Sequence, residues 1–372
     1  MNGLGKRLAI LACSLLVPSA ASADPGRYLG ADGRGPTFGR NDPLVVTYYF
    51  YWYDAPGDYH VRLNGSDMLT DHPDDSIPAP MGKGGWRRRP PARYSDDPAF
   101  SYRDPAWQAR EMARMAGAGI DVALPVYWGG DPRRPAEAEW SNRGLEVLDG
   151  ALEGLERSGV PAPRIGLFYD TTTLAATPGT RAVDLATDAG RDQFYGTIRD
   201  FYSRIDPRRW ARLDGGAIVW LFDSGRPGRI DPRIFEIARQ RFAADFGGAR
   251  LAFVGDPGWK KAGARTDRTT AWWGLKATAD GLQDATDVVT VAPGFSYPPA
   301  GRFVDRRGGR TYRSAWESAL RSGKRIVAVE TWNEFFEATE VTPSFEHGWL
   351  YWRLTRQYAA GHHRSVTRPR AG

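Results

Sequence analysis

"KRIVAVETWNEFFEATEVTP", residues 324–343, opens on a basic pair, runs through Ile326 to Val329, and ends in a mixture of acids and rings. The apolar, mostly β-branched run has the pattern of a strand buried on both faces. Past it, Glu330, Glu334, Glu337 and Glu340 fall among Trp332, Phe335 and Phe336. Acids ordinarily sit in water and large apolar rings in cores. Mixing the two at a strand end points to a lined cleft.

The same form recurs upstream. "LVVTYYFYWYD" (44–54), "GIDVALPVYWG" (119–129), "RIGLFYDTTT" (164–173), "GGAIVWLFDS" (215–224), "ARLAFVGDPGW" (249–259) and "DVVTVAPGFS" (287–296) each read as a strand. Helical stretches lie between them, at 104–119, 142–159, 190–205, 231–248 and 312–323, and another follows at 347–360. Seven strands are clear, and an eighth is weakly signalled near "TTAWWGL" (269–275). Alternating strands and helices predict an α/β fold, a (β/α)8 TIM barrel. Residues 55–104, rich in Pro, Gly and Asp, form a long first βα loop. No Gly-rich dinucleotide fingerprint follows the first strand, which argues against an open doubly wound sheet.

The N-terminus carries Lys6 and Arg7, an apolar run from Leu8 to Val17, and Ala21-Ser22-Ala23. That is the layout of a Sec-type signal peptide cut after Ala23, with an apolar run too short to span a bilayer. The lone cysteine, Cys13, would leave with it. The expected organisation is a leader over 1–23, one catalytic-type domain over 24–360, and a disordered basic tail over 361–372. The expected location is secreted or periplasmic.

The formal charge is +6, but only six of the 50 basic residues are lysine. The basic clusters, such as Arg87–Arg89, are short and lie among Pro and Gly, so no nucleic-acid module is indicated. Aromatic residues make up 12% of the chain, with 14 Trp and 16 Tyr. In an exported protein without disulfides this suits stacking against sugar rings, although Trp and Tyr also fill ordinary cores.

In barrels, chemistry sits at the C-terminal ends of the strands. Those ends read Trp52-Tyr53-Asp54, Tyr127-Trp128, Tyr169-Asp170, Phe222-Asp223, Asp256 and Trp332-Asn333-Glu334. One Asp after a strand is usually a turn former or helix cap. Its repetition on one face suggests carboxylates beside aromatic platforms. Glu330 reads as a wall residue. Glu334 and Glu337 lie three apart beyond the strand, where a turn brings both to one cavity. Paired carboxylates serve glycoside hydrolysis, and neighbouring rings such as Phe335 and Phe336 raise a carboxyl pKa by desolvation. The bland alternative is a solvated acidic loop. His60, Asp71 and His72 match no strong metal motif; His60 reads as a sugar contact at the rim. Trp128, Trp259, Trp272 and Trp273 are stacking candidates, each also suited to the core.

At these residues the chain resembles a known group. "TWNEFFEATEV" is similar to the W-N-E-W-x-E-G-T-x-I-E segment of glycoside hydrolase family 99 and the family 71/99-like proteins. "YFYWYD" resembles that family's Tyr-Tyr-Pro-Trp-Tyr-Gly first strand, and "MARMAGAGIDVALPVYWG" its second. The resemblance implies a (β/α)8 endo-acting α-mannosidase-like enzyme. It also implies Glu334 as the base toward the sugar 2-hydroxyl and Glu337 as general acid/base. Asn333 and Glu340 become sugar contacts or orienters. The family's motif has tryptophan, histidine and glycine where this chain has Phe335, Phe336 and Ala338, and proline where it has Tyr51.

The expectation is therefore a secreted glycoside hydrolase using Glu334 and Glu337. The substrate-binding candidates are Tyr51, Tyr53, Asp54, His60, Trp128, Tyr169, Asp170, Asp223, Trp332, Asn333 and Glu340. No cofactor and no catalytic metal are expected. The partner is a carbohydrate, not nucleic acid or membrane, and the chain is expected to be a monomer. The alternative is a non-catalytic glycan-binding barrel.

Overall fold

The computed structural model describes residues 27–31, 35–55, 62–63, 66–67, 100–129, 135–272, 282–297, 302–335, 337–344 and 347–367. The expected leader, most of the long first loop with His60, Asp71 and His72, and the residues Trp273 and Phe336 lie outside them.

Eight parallel strands follow one another around the sheet in chain order. They are β1 (Leu44–Tyr49), β2 (Val122–Tyr127), β3 (Leu167–Tyr169), β4 (Gly216–Leu221), β5 (Arg250–Gly255), β6 (Arg268–Thr269), β7 (Val288–Val291) and β8 (Ile326–Val329). β8 pairs with both β1 and β7. The remaining seam, between β6 and β7, is held where Asp287 N–H donates to Thr269 O at 3.0 Å and the Asp287 carboxylate accepts from Thr269 N–H at 2.7 Å. The result is a nearly closed (β/α)8 barrel. The weakly signalled eighth strand is β6, two residues long, and it comes sixth in order.

The helices are α1 (Pro105–Gly117), α2 (Pro135–Arg157), α3 (Asp188–Tyr202), α4 (Ile234–Asp245), α5 (Pro257–Lys261), α6 (Arg310–Ser322) and α7 (Leu350–Thr367). Local chemistry sets their ends. Asp104 caps α1 through Ala106 N–H at 2.9 Å, with Pro105 in the first turn. Gly323 closes α6 in the left-handed region at φ 67°. α7 runs to Thr367, beyond residue 361, where the sequence suggests a disordered tail. His362 is buried and its Nε2 lies 2.9 Å from Arg325 O, while His363 Nε2 lies 2.9 Å from Asp121 Oδ2. Those contacts tie the last turns of α7 to the strand bottoms.

Strand alternation sorts the aromatics. Tyr49, Tyr127 and Tyr169 turn outward, bonding Gln108 of α1, Asn142 and Asp200 of α2 and α3, and Thr197 of α3. Tyr48 packs on Phe168, Trp220 and Trp272, and Phe168 packs on Trp272, with ring centroids 4.9–5.8 Å apart. This second set forms an aromatic plug within the barrel. β3 approaches its neighbours at Gly166, where a Cβ would stand 2.8 Å from Leu124 Cδ2 and 3.2 Å from Ile218 Cβ. Among the described residues no helix is long and apolar enough to cross a membrane.

Candidate active site

The loop after β8 folds back on itself. Thr331 N–H donates to Thr339 O at 2.9 Å, and their hydroxyls lie 3.0 Å apart. Thr339 N–H returns to Glu334 O at 3.1 Å, and the Thr331 hydroxyl accepts from Glu334 N–H at 2.8 Å. Glu334 and Glu337 therefore lie on one short loop closed at its base. Glu334 is 4% exposed; Glu337 is partly buried. Burial, then the negative charge of Asp170, pushes the Glu337 carboxyl up to about 7.

Asp170 arrives from the end of β3. Its Oδ1 accepts from Thr172 N–H at 3.0 Å and caps a short 3₁₀ turn; its Oδ2 accepts the Trp128 indole N–H at 2.5 Å. Burial raises its pKa, opposed by hydrogen bonds from Thr172 and Trp128 and by Arg226. Trp128, at the end of β2, is 7% exposed and meets Trp52 edge-on at 5.5 Å. Trp52 remains partly exposed. Trp52, Trp128, Asp170 and Glu337 thus form a continuous series across the mouth. Trp52 is absent from the candidate set read from sequence, although it stands between two members of it.

The other acids at strand ends act mainly as ties. The Thr171 hydroxyl accepts from Asp223 N–H at 3.0 Å and donates to Asp223 O at 2.8 Å. Asp223 is itself partly exposed, takes Gly225 N–H at 2.8 Å and pairs with Arg226 at 2.9 Å. Asp256 receives both Ser224 N–H and the Ser224 hydroxyl and caps α5. Strand tops from β3 to β5 are thereby laced together.

Several predicted contacts turn into the wall. The Tyr51 hydroxyl donates to Ser141 O at 3.0 Å, and its ring packs on Trp140. Tyr169 stacks on Phe194, also outside the barrel. The Trp332 indole N–H bonds Glu111 of α1 at 2.6 Å. Glu111 is wholly buried, which raises its pKa, and it also accepts from Arg114 and Thr342. Asn333 spends both ends of its amide on Phe50: Nδ2 donates to Phe50 O at 2.6 Å and Oδ1 accepts Phe50 N–H at 2.8 Å. The Tyr53 hydroxyl donates to Asn333 O at 2.9 Å and accepts Phe335 N–H at 3.2 Å. For Tyr51, Tyr53, Tyr169, Trp332 and Asn333, burial and occupied polar groups make them framework. The Glu340 carboxylate pairs with Arg306 at 2.7 Å and lies 3.5 Å from His347 Nε2. Trp259 packs between Phe194 and Phe235 and is core. Asp54 lies in a two-residue strand pair with Phe100–Ser101 at the root of the long loop. His60 lies outside the described residues. Among the described residues no group of three or more His, Cys, Asp or Glu could hold a metal ion.

A GH99 endo-alpha-mannosidase from Bacteroides thetaiotaomicron, solved with bis-tris-propane, shares this fold at a TM-score of 0.60 and 15% identity, over 88% of this chain and 99% of that one. A second structure of a GH99 endo-alpha-mannosidase from that organism gives 0.58 and 16%, over 87% and 98%. A glycoside hydrolase-like protein gives 0.59 and 14%, over 87% and 96%. At these identities the likeness is one of fold, and it agrees with the barrel expected from the motif resemblance. A search of curated proteins finds no match. The family model for a domain of unknown function (DUF5010) matches residues 42–366, and the chain belongs to that family.

Proposed function

We propose that this protein is an exported glycoside hydrolase in which Glu337 is the general acid and Glu334 its partner. The carrying observation is the Glu337 carboxyl, pushed up to about 7 beside Asp170 at the barrel mouth. An acid with that pKa still holds its proton near neutrality and can release it to a leaving group. Glu337 protonates the glycosidic oxygen as the bond to the anomeric carbon breaks. Glu334 takes the proton of the sugar 2-hydroxyl, whose oxygen closes on the anomeric carbon as a 1,2-anhydro ring. Water then opens that ring at the anomeric carbon while Glu337, now a carboxylate, accepts the water's proton and Glu334 returns its proton to the 2-oxygen as the ring bond breaks. This assignment follows the motif resemblance; the three-residue spacing and the shared loop support it. Trp52, backed edge-on by Trp128, would stack against sugar, with Asp223 as a hydroxyl-binding contact. Export rests on the leader at residues 1–23.

The test is a panel of α- and β-linked polysaccharides with product analysis, applied to wild type, Glu334→Gln and Glu337→Gln. Wild type should release sugar. Both variants should lose at least about 100-fold in turnover while still binding glycan. Binding by wild type with no release from any glycan would favour a glycan-binding barrel and sink the enzymatic reading.

A further inference from the structure

Arg306 lies outside the strand-end motifs. It follows a short hairpin after β7, in which Phe295–Tyr297 pairs antiparallel with Arg302–Val304, and it precedes α6. Its side chain is largely buried and reaches across to the loop after β8. Nη2 donates to Ala338 O at 2.8 Å and pairs with Glu340 Oε2 at 2.7 Å. Nη1 donates to Glu340 O at 3.0 Å. The guanidinium also sits over the Tyr351 ring, 4.5 Å from its centroid. One planar cation therefore holds two carbonyls and a carboxylate of the segment that follows Glu337, a geometry suited to arginine and not to lysine.

Two local features make the grip necessary and possible. Ala338, immediately after Glu337, adopts φ 49°, in the left-handed region that alanine disfavours. Its carbonyl is the one Arg306 holds. Gly294, at the root of the hairpin, lets the chain close over the Arg306 stem: a Cβ there would lie 2.5 Å from Arg306 Cγ and 2.8 Å from Val304 O.

We propose that Arg306, with Glu340 as its counter-ion, is a positioning residue that fixes the Glu337 carboxyl at the barrel mouth. It touches no substrate in this role. The proposal deepens the hydrolase reading and rests on it only for its kinetic consequence. Without the clamp the turn after Glu337 relaxes, the carboxyl gains water and moves away from Asp170, and both causes of its raised pKa weaken.

The experiment uses the full chain and its Arg306→Met, Arg306→Lys and Glu340→Gln variants. The titration of Glu337 is followed by ¹³C-carboxyl NMR, assigned with Glu337→Gln. Arg306→Met should move the midpoint from about 7 toward the ordinary carboxyl range, by about 1 pH unit. Arg306→Lys should behave similarly. Glu340→Gln, which leaves the two carbonyl bonds in place, should shift it less. On a glycan that wild type hydrolyses, kcat should fall about tenfold with KM nearly unchanged, because the loss acts on proton transfer and not on binding. If Arg306→Met does not fold, Arg306→Lys and Glu340→Gln decide the question. A folded variant with lowered Tm and an unmoved Glu337 titration would make Arg306 purely structural and overturn the proposal. If wild type hydrolyses nothing, the hydrolase reading fails, while the titration still judges the clamp.

Discussion

Trp128 donates its indole N–H to Asp170 Oδ2 at 2.5 Å, and Asp170 is in turn the charged neighbour that raises Glu337. A ring at the end of β2 thereby reaches the acid on the loop after β8 through one carboxylate. Asp170→Asn removes the charge and keeps the shape. The Glu337 midpoint should then fall from about 7 but stay above the ordinary 4.5, because burial, the larger cause, remains. The alkaline limb of the pH–activity profile should move to lower pH with it. An unchanged or rising midpoint would remove Asp170 from the account.

Glu337 also makes stability depend on pH. Its folded pKa lies above its unfolded one, so the folded state binds its proton more tightly. The stabilisation from that carboxyl is complete below about pH 4.5 and is lost as pH rises through about 7. Glu337→Gln should therefore flatten stability over that window and be more stable than wild type at pH 8. Urea unfolding at pH 5 and pH 8 measures the difference. A variant that keeps the wild-type slope between those values would contradict the raised pKa.

Ala338 stands at φ 49° where the resembling motif has glycine. Glycine relieves the left-handed strain but adds freedom to the unfolded chain, by about 0.5–1 kcal/mol. Since the left-handed cost for an L-residue is about 1–2 kcal/mol, Ala338→Gly should raise stability by about 0–1.5 kcal/mol. Chemical denaturation checks the sign. A loss of about 1 kcal/mol, as in an ordinary loop or helix, would show that the position is unstrained.

Asn333 joins the tops of β8 and β1 through both polar groups of Phe50. Asn333→Ala leaves that buried N–H and C=O without partners and should cost about 2–4 kcal/mol. Asn333→Asp keeps the acceptor and loses the donor, and should also destabilise. A cost below about 1 kcal/mol for the alanine variant would mean that water replaces the amide.

Much of this was legible from residues alone. Strands such as Val122–Tyr127 and Gly216–Leu221 declare themselves by continuous apolar runs, and helices such as α1 by Asp104-Pro105 at the start. The placement of Glu334 and Glu337 just past a strand was equally plain. The sixth strand was nearly silent because two residues carry too little pattern. The outward turn of Tyr51, Tyr169 and Trp332 was not readable either. Which ring faces the cleft depends on where each strand ends, and a shift of one residue exchanges the two faces.

The sequence by itself determined the alternation of strand and helix, and hence the barrel, because hydrophobic period and chain order are local properties. It also determined that acids and rings gather at one end. Only the tertiary structure decided which of them lie together. Asp170 meets Glu337 and Trp128, Asn333 meets Phe50, and Arg306 meets Glu340 because the barrel closes strands that are far apart in the chain. Proximity across a closed sheet, and the loss of water that comes with it, cannot be read from residue order.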